Sequence, residues 1–183
     1  INNMSCGKAA GLDGLSAEHL QYCHYALPTV LSKLFNLMIH RGYVPETFCQ
    51  SYTVPLLKGN CNIHSKSLSA NDFRGISISP IISKNFEHCI LHRYNMFFTS
   101  SDNQFGFKKN SGCMHAIHTF RSTVDYFVTR GSTVNVCSLD LSKAFDKMNH
   151  HGLFVKLMDR HIPVNLLKVL ELWFTSSATC VKW

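Results

Sequence analysis

Strand-like stretches in this chain are few, short and unevenly spaced, and that limits the architectures open to it. "SYTVPLLKGN" (51–60) is β-branched and apolar up to Lys58-Gly59, and its Pro55 suits a sheet edge or bulge. The start of "FRGISIS" (73–79) reads as a second short strand, hairpin-like with the first. "STVNVCSLDL" (132–141) alternates and is β-branched, the clearest strand pattern in the chain, and "ATCVKW" (178–183) begins another. Helical periodicity fills most of the rest. A doubly wound parallel sheet needs strands and helices in regular alternation. The order here predicts instead an α+β fold, helix-rich with a few antiparallel strands.

The helices announce their ends. Ser16 is placed to cap a helix running to about Leu27, and Pro28 fits the first turn of the next. That second helix carries an apolar stripe of Leu31, Leu34, Phe35, Met38 and Ile39, and Gly42 closes it. Further helices are predicted from about Pro80, over "MHAIHTFRSTVDYFVTRG" up to Gly131, near 143–160, and over 163–176 with Pro163 at the start.

With 183 residues the chain suits one good-sized domain or two small lobes, and 45% apolar residues with 13 Phe suit a packed core. The net charge of +7, with 11 His besides, favours a polyanionic partner such as nucleic acid or an acidic membrane surface. No apolar run approaches the ~20 residues of a membrane-spanning helix. The start, "INNMSCGKAAGLDG", is polar and Gly-rich rather than leader-like, and without an initiator Met it points to an origin inside a longer reading frame. The eight cysteines contain no C-x-x-C pair, so the expectation is free, buried thiols in a reducing compartment. Two C-x-x-H pairs, Cys61/His64 and Cys89/His92, fall short of the four ligands of a structural zinc site.

The stretch "SLDLSKAFDKMNHH" (138–151) holds Asp140 and Asp146, six positions apart, at the end of the best strand pattern. Asp140 could project from a strand tip into a cleft, or it could cap the helix that follows. Spacing leaves both open.

Several blocks now bear on that choice. "CSLDLSKAFDKMNH" resembles motif A of the reverse transcriptases of non-LTR (LINE-type) retrotransposons, a D-x-x-K-A-F-D pattern. "GKAAGLDGLSAEHL" resembles the family's N-terminal K-x-x-G-x-D-G, and "VPLLKGN" its motif 1 strand with Lys-Gly at the end. "NDFRGISISPIISKNFE" resembles motif 2, and "QFGFKKNSGCMHAI" the segment before motif A. The blocks stand in family order over nearly the whole chain. Gly75 replaces the usual proline after Arg74, and Cys113-Met114 stand where the family prefers small hydroxyl residues. The family's motifs B and C are expected beyond Trp183.

The resemblance implies a right-hand polymerase fragment, with a fingers-like region over 1–98 and the start of the palm over 99–183. It implies an RNA-directed DNA polymerase that adds deoxynucleoside triphosphates to a DNA primer on an RNA template. Two Mg²⁺ ions would be the cofactors, with Asp140 and the backbone carbonyl of Leu141 among the ligands. Phe145 would pack under the incoming sugar and exclude a 2′-hydroxyl by clash. Lys58 and Arg74 would neutralise the triphosphate, while Lys108, Lys109 and Lys8 would contact nucleic acid. Asp146 is read as capping or pairing on its helix, and His150 and His151 are given no role. Location inside the cell, in cytoplasm and nucleus, and no membrane association are expected; the oligomeric state is not readable. With motifs B and C missing, the isolated chain is expected to be inactive. The competing reading is a non-catalytic nucleic-acid-binding remnant of such a polymerase.

Overall fold

A computed structural model of the chain describes residues 1–59, 68–142 and 144–183. The Cys61/His64 pair and Lys143 lie outside the described residues. In chain order the regular elements are α1 (Ala17–Gln21), α2 (Leu27–Arg41), β1 (Gln50–Leu57), β2 (Phe73–Ile78), α3 (Ile81–Arg93), α4 (Cys113–Val128), α5 (His150–Asp159), α6 (Val164–Ser176) and β3 (Ala178–Val181). They fall into two units. One comprises Ile1–Phe97 with His150–Trp183, the other Phe98–Asn149. The first unit is thus discontinuous in sequence, the second being inserted between its two parts.

In the first unit the caps act locally, as their chemistry dictates. Ser16 precedes α1, and its backbone N–H donates to His19 Nδ1 at 3.1 Å. This helix is shorter than expected. It stops at Gln21, with Tyr22 N–H making the last helical bond, to Glu18; beyond it His24 organises the turn into α2, its carbonyl accepting from Leu27 N–H at 2.9 Å and its Nδ1 from Ala26 N–H at 3.2 Å. Pro28 sits in the first turn of α2, and Gly42 ends it at φ 64° with its N–H on the carbonyls of Ile39 and Met38. Leu31, Phe35 and Met38 are buried, Leu34 and Ile39 half-buried, so the predicted stripe faces the core. The core is completed by Phe86 and Ile90 of α3, Leu157 of α5, and Leu166 and Val169 of α6. Phe86 lies stacked on Trp173, with ring centroids 5.4 Å apart, and 5.0 Å from Phe35.

The sheet has the order β2-β1-β3. β1 and β2 are antiparallel, with Val54 opposite Ile76 and Leu56 opposite Arg74. β3 runs parallel to β1, with Tyr52 opposite Cys180, so the sheet is mixed rather than antiparallel throughout. Parallel strands need a long crossover connection, and here everything from β2 to α6 lies between β1 and β3 in the chain. Pro55 lies in the central strand without cost. Lys58 N–H bonds Asp72 on the β2 side, so alternation turns the Pro55 nitrogen to the other side. There β3 pairs only as far as Thr53, and Pro55 meets a local sheet edge, as the sequence suggested.

The second unit departs most from expectation. Residues 132–141, the best strand pattern, form no strand and are almost wholly exposed. A strand cannot satisfy its own amides, and no described strand pairs with this segment. The helix expected near 143 begins only at His150, and Asp146 lies in a turn. α4 forms where predicted, since a helix bonds its own backbone beyond the first turn, but none of its residues is buried. The thiol expectation also needs correcting. Cys49 is buried, and burial pushes its thiol above the usual range, with a smaller push from the Glu46 charge. The other described cysteines are free but exposed: Cys89, Cys113 and Cys180 on the outer sides of α3, α4 and β3, and Cys6, Cys23 and Cys137 in irregular segments.

Candidate functional site

The hairpin of β1 and β2 carries the first group of candidate residues. Side chains alternate along a strand, so Tyr52, Val54 and Leu56 share one face with Ile78, Ile76 and Arg74, their partners. Alternation carries Lys58 to the same face, one row beyond Leu56. Lys58 Nζ donates to the carbonyl of Asn71 at 2.6 Å, which leaves two of its three N–H groups for a ligand. Arg74 is exposed. The neighbouring carboxylate of Asp72 turns back to cap a short 3₁₀ turn, accepting from Ser69 N–H at 2.8 Å and from its hydroxyl at 3.1 Å. The face thus offers two cations at diagonal positions of a hairpin, flanked by apolar side chains.

Lys8 belongs to a loop tethered at both ends in this unit. Gly7 N–H donates to Glu18 in α1, and this bond is the main reason the Glu18 carboxyl sits below its ordinary value. The Ala10 carbonyl accepts from the Tyr52 hydroxyl at 3.0 Å, which brings the segment to the edge of the cationic sheet face. Gly11 makes this approach possible: a Cβ there would stand 2.8 Å from Pro80 Cα and 2.9 Å from its nitrogen. Backbone atoms cannot yield as a side chain can. Gly11→Ala is therefore expected to cost about 1–3 kcal/mol, the usual range for overpacking, read as a lower chemical-denaturation midpoint at unchanged slope. An unaltered midpoint would show that the tether is not needed.

The second unit holds the other candidates. Asp140 and Leu141 are exposed on the irregular segment, so Asp140 is neither a strand tip nor the cap of a helix. Phe145, in the turn that follows, meets Phe107 edge-on, with ring centroids 6.5 Å apart at 90°. This contact joins the "KAFD" and "QFGF" stretches, and the sequence reading gave Phe107 no part in it. Phe107 itself adopts φ 59°, a conformation that bulky residues avoid, and Asn110 adopts φ 60° in the same turn. Between them Lys108 is half-buried with its ammonium on the Ser101 carbonyl, while Lys109 points to solvent.

Mg²⁺ takes about six hard oxygen ligands in near-octahedral array. Asp140 and the Leu141 carbonyl are oxygen donors of that kind, but they fill only part of such a shell. No cluster of three or more His, Cys, Asp or Glu side chains able to hold an ion occurs among the described residues. The set present does not by itself make a metal site. Two adjoining clefts in the first unit, of about 310 and 290 Å³, share Phe48, Ser79, Trp173 and Ser177, and none of the candidate residues lines them.

Residues 60–182 match the family model described as reverse transcriptase (RNA-dependent DNA polymerase). The chain belongs to the reverse transcriptase family. It is similar to the RNA-directed DNA polymerase from mobile element jockey of Drosophila funebris, 23% identical over 180 residues, which is 94% of this chain and 19% of that protein. It is also similar to the probable RNA-directed DNA polymerase from transposon BS of Drosophila melanogaster, 22% identical over 86% of this chain and 17% of that protein. A third relative is the retrovirus-related Pol polyprotein from type-2 retrotransposable element R2DM of the same species, 22% identical over 97% of this chain and 16% of that protein. These retrotransposon relatives agree with the LINE-type resemblance of the motifs. The chain spans less than a fifth of the length of each. As a reverse transcriptase segment it brings Arg74, Lys108, Lys109, Asp140, Leu141 and Phe145 within the matched stretch, while Lys8 and Lys58 lie ahead of it.

Proposed function

We propose that this chain supplies the fingers-like region (1–98) and the start of the palm (99–183) of an RNA-directed DNA polymerase. That polymerase extends a DNA primer with deoxynucleotides on an RNA template. The observation that carries the reading is the reverse transcriptase match over 60–182, which includes the whole D-x-x-K-A-F-D stretch. In this reading the carboxylate of Asp140 and the carbonyl of Leu141 are oxygen ligands to divalent metal, Mg²⁺ by preference, with further carboxylates needed to complete the shell. Asp140 and Leu141 would hold such metal only together with those further carboxylates, and the metal would then supply Lewis-acid activation of the primer hydroxyl and charge stabilisation of the leaving group. Lys58 and Arg74 neutralise the triphosphate, the ammonium as a point charge and the guanidinium as a planar fork. Lys108, Lys109 and Lys8 contact phosphates of the template–primer, binding that holds register rather than reading sequence. The site of action is intracellular. Among the described residues no helix is long and apolar enough to cross a membrane.

Phe145 is the specificity element. Its ring, buttressed edge-on by Phe107, lies under the sugar and leaves no room for a 2′-hydroxyl. Phe145→Val in an active polymerase carrying this segment is expected to admit ribonucleotides while retaining deoxynucleotide incorporation. Parallel primer extensions with each nucleotide set test it. A valine variant that still rejects ribonucleotides as the parent does would remove Phe145 from this role.

A further inference from the structure

The parallel pairing of β3 brings a third cation to the face that bears Lys58 and Arg74. Lys182 continues the β3 ladder, donating its backbone N–H to the Thr53 carbonyl at 2.9 Å. Its ammonium lies 5.5 Å from the centroid of the Tyr52 ring, which fixes the side chain on the Tyr52 face. That face also carries Val54, Leu56 and Ile76, the last two exposed. Nothing in the linear sequence links position 182 to positions 58 and 74. The register does so by placing β1, which leads into Lys58, between the strands that carry Arg74 and Lys182.

We propose that Lys182, steadied by the Tyr52 ring, binds a backbone phosphate of single-stranded nucleic acid laid across the sheet face. The inference rests on the reading of Lys58 and Arg74 as phosphate ligands and extends it beyond the nucleotide. Neighbouring strands are about 4.8 Å apart, so β3 lies roughly 10 Å across the sheet from β2. Cations spread over three strands with apolar side chains and a ring between them do not match one compact anion. They match an extended chain of phosphates whose bases can rest on apolar and aromatic surface. The Asp72 carboxylate keeps its charge and is engaged in the 3₁₀ turn before β2, where it accepts from Ser69. Lys182 is exposed, and its ring contact orients the ammonium without consuming its N–H donors.

Affinity for a single strand falls with salt, with a logarithmic slope of about 0.7 per phosphate neutralised. Titrating the chain with a fluorescent single-stranded RNA, and separately with the matching DNA, over a salt series reads this directly. Lys182→Ala is expected to reduce the slope by about 0.7 on either strand, and Lys182→Arg to restore it. Lys33→Ala, on the outer face of α2, should leave it unchanged. Should the alanine variant lose its helical circular dichroism, Lys182→Gln gives the same comparison with a side chain of similar reach. If Lys58→Ala and Arg74→Ala lower the slope but the Lys182 variants do not, this inference alone is overturned. If the unaltered chain shows no salt-dependent binding, the phosphate reading of the whole face falls with it.

Discussion

Phe86→Ala is expected to abolish the cooperative thermal transition of the unit formed by Ile1–Phe97 and His150–Trp183. Phe86 is 0% exposed. Its ring meets Phe35 of α2 at 5.0 Å, Phe48 of the turn before β1 at 6.3 Å, and Trp173 of α6 at 5.4 Å with the planes only 18° apart. One side chain therefore joins parts of the chain that are distant in sequence. Truncating a fully buried Phe removes its transfer free energy and leaves a cavity, together about 3–5 kcal/mol. Domains are stable by only about 5–15 kcal/mol, so the loss consumes much or all of the margin. Phe86→Leu, which keeps most of the volume, should lower the transition temperature without erasing the transition. Calorimetry or circular dichroism decides. An alanine variant melting within a degree or two of the parent would show that the core does not depend on this ring.

The second large effect concerns chemistry. Asp140→Asn, in an active polymerase that carries this segment, is expected to abolish metal-dependent primer extension. The substitution keeps shape and removes charge, so a loss speaks to ligation rather than packing. Outer-shell partners of metal ligands already cost about 10–100-fold when altered, and a direct ligand should exceed that. Asp140 is exposed and outside any helix or strand, so the substitution should leave the thermal transition in place. Asp146→Asn is the matched control, expected to retain extension within a few-fold. Equal activity in the Asp140→Asn variant and the parent would refute the metal-ligand role. Equal loss at both positions would point to the turn as a whole rather than to one carboxylate.

The two units differ in how far they could be read in advance, and the difference follows interaction range. Ser16, Pro28, Gly42 and Pro163 mark helix ends through contacts within a few residues, and each stands at or beside the end it was assigned. The stripe of α2 needed only a 3.6-residue period. Residues 132–141 have an equally clear strand pattern yet form no strand, because β propensity describes fitness for a sheet without providing one. For the candidate site, the residue types and their order along the chain were legible, since motif resemblance is a property of the line of residues. The Phe107–Phe145 contact and the Tyr52–Lys182 pair were not, as each joins segments far apart in sequence.

Apart from the early end of α1 and the late start of α5, the helices, the caps at Ser16, Pro28, Gly42 and Pro163, the β1–β2 hairpin and the family were legible in the residues alone. All of these depend on near neighbours or on linear pattern. Tertiary structure alone decided that β3 lies parallel to β1, that Phe86 joins α2, α3 and α6, and that Lys182 shares a face with Arg74. A sheet ladder or a buried ring gains its free energy only after distant segments have met, and no local preference encodes which segments those will be.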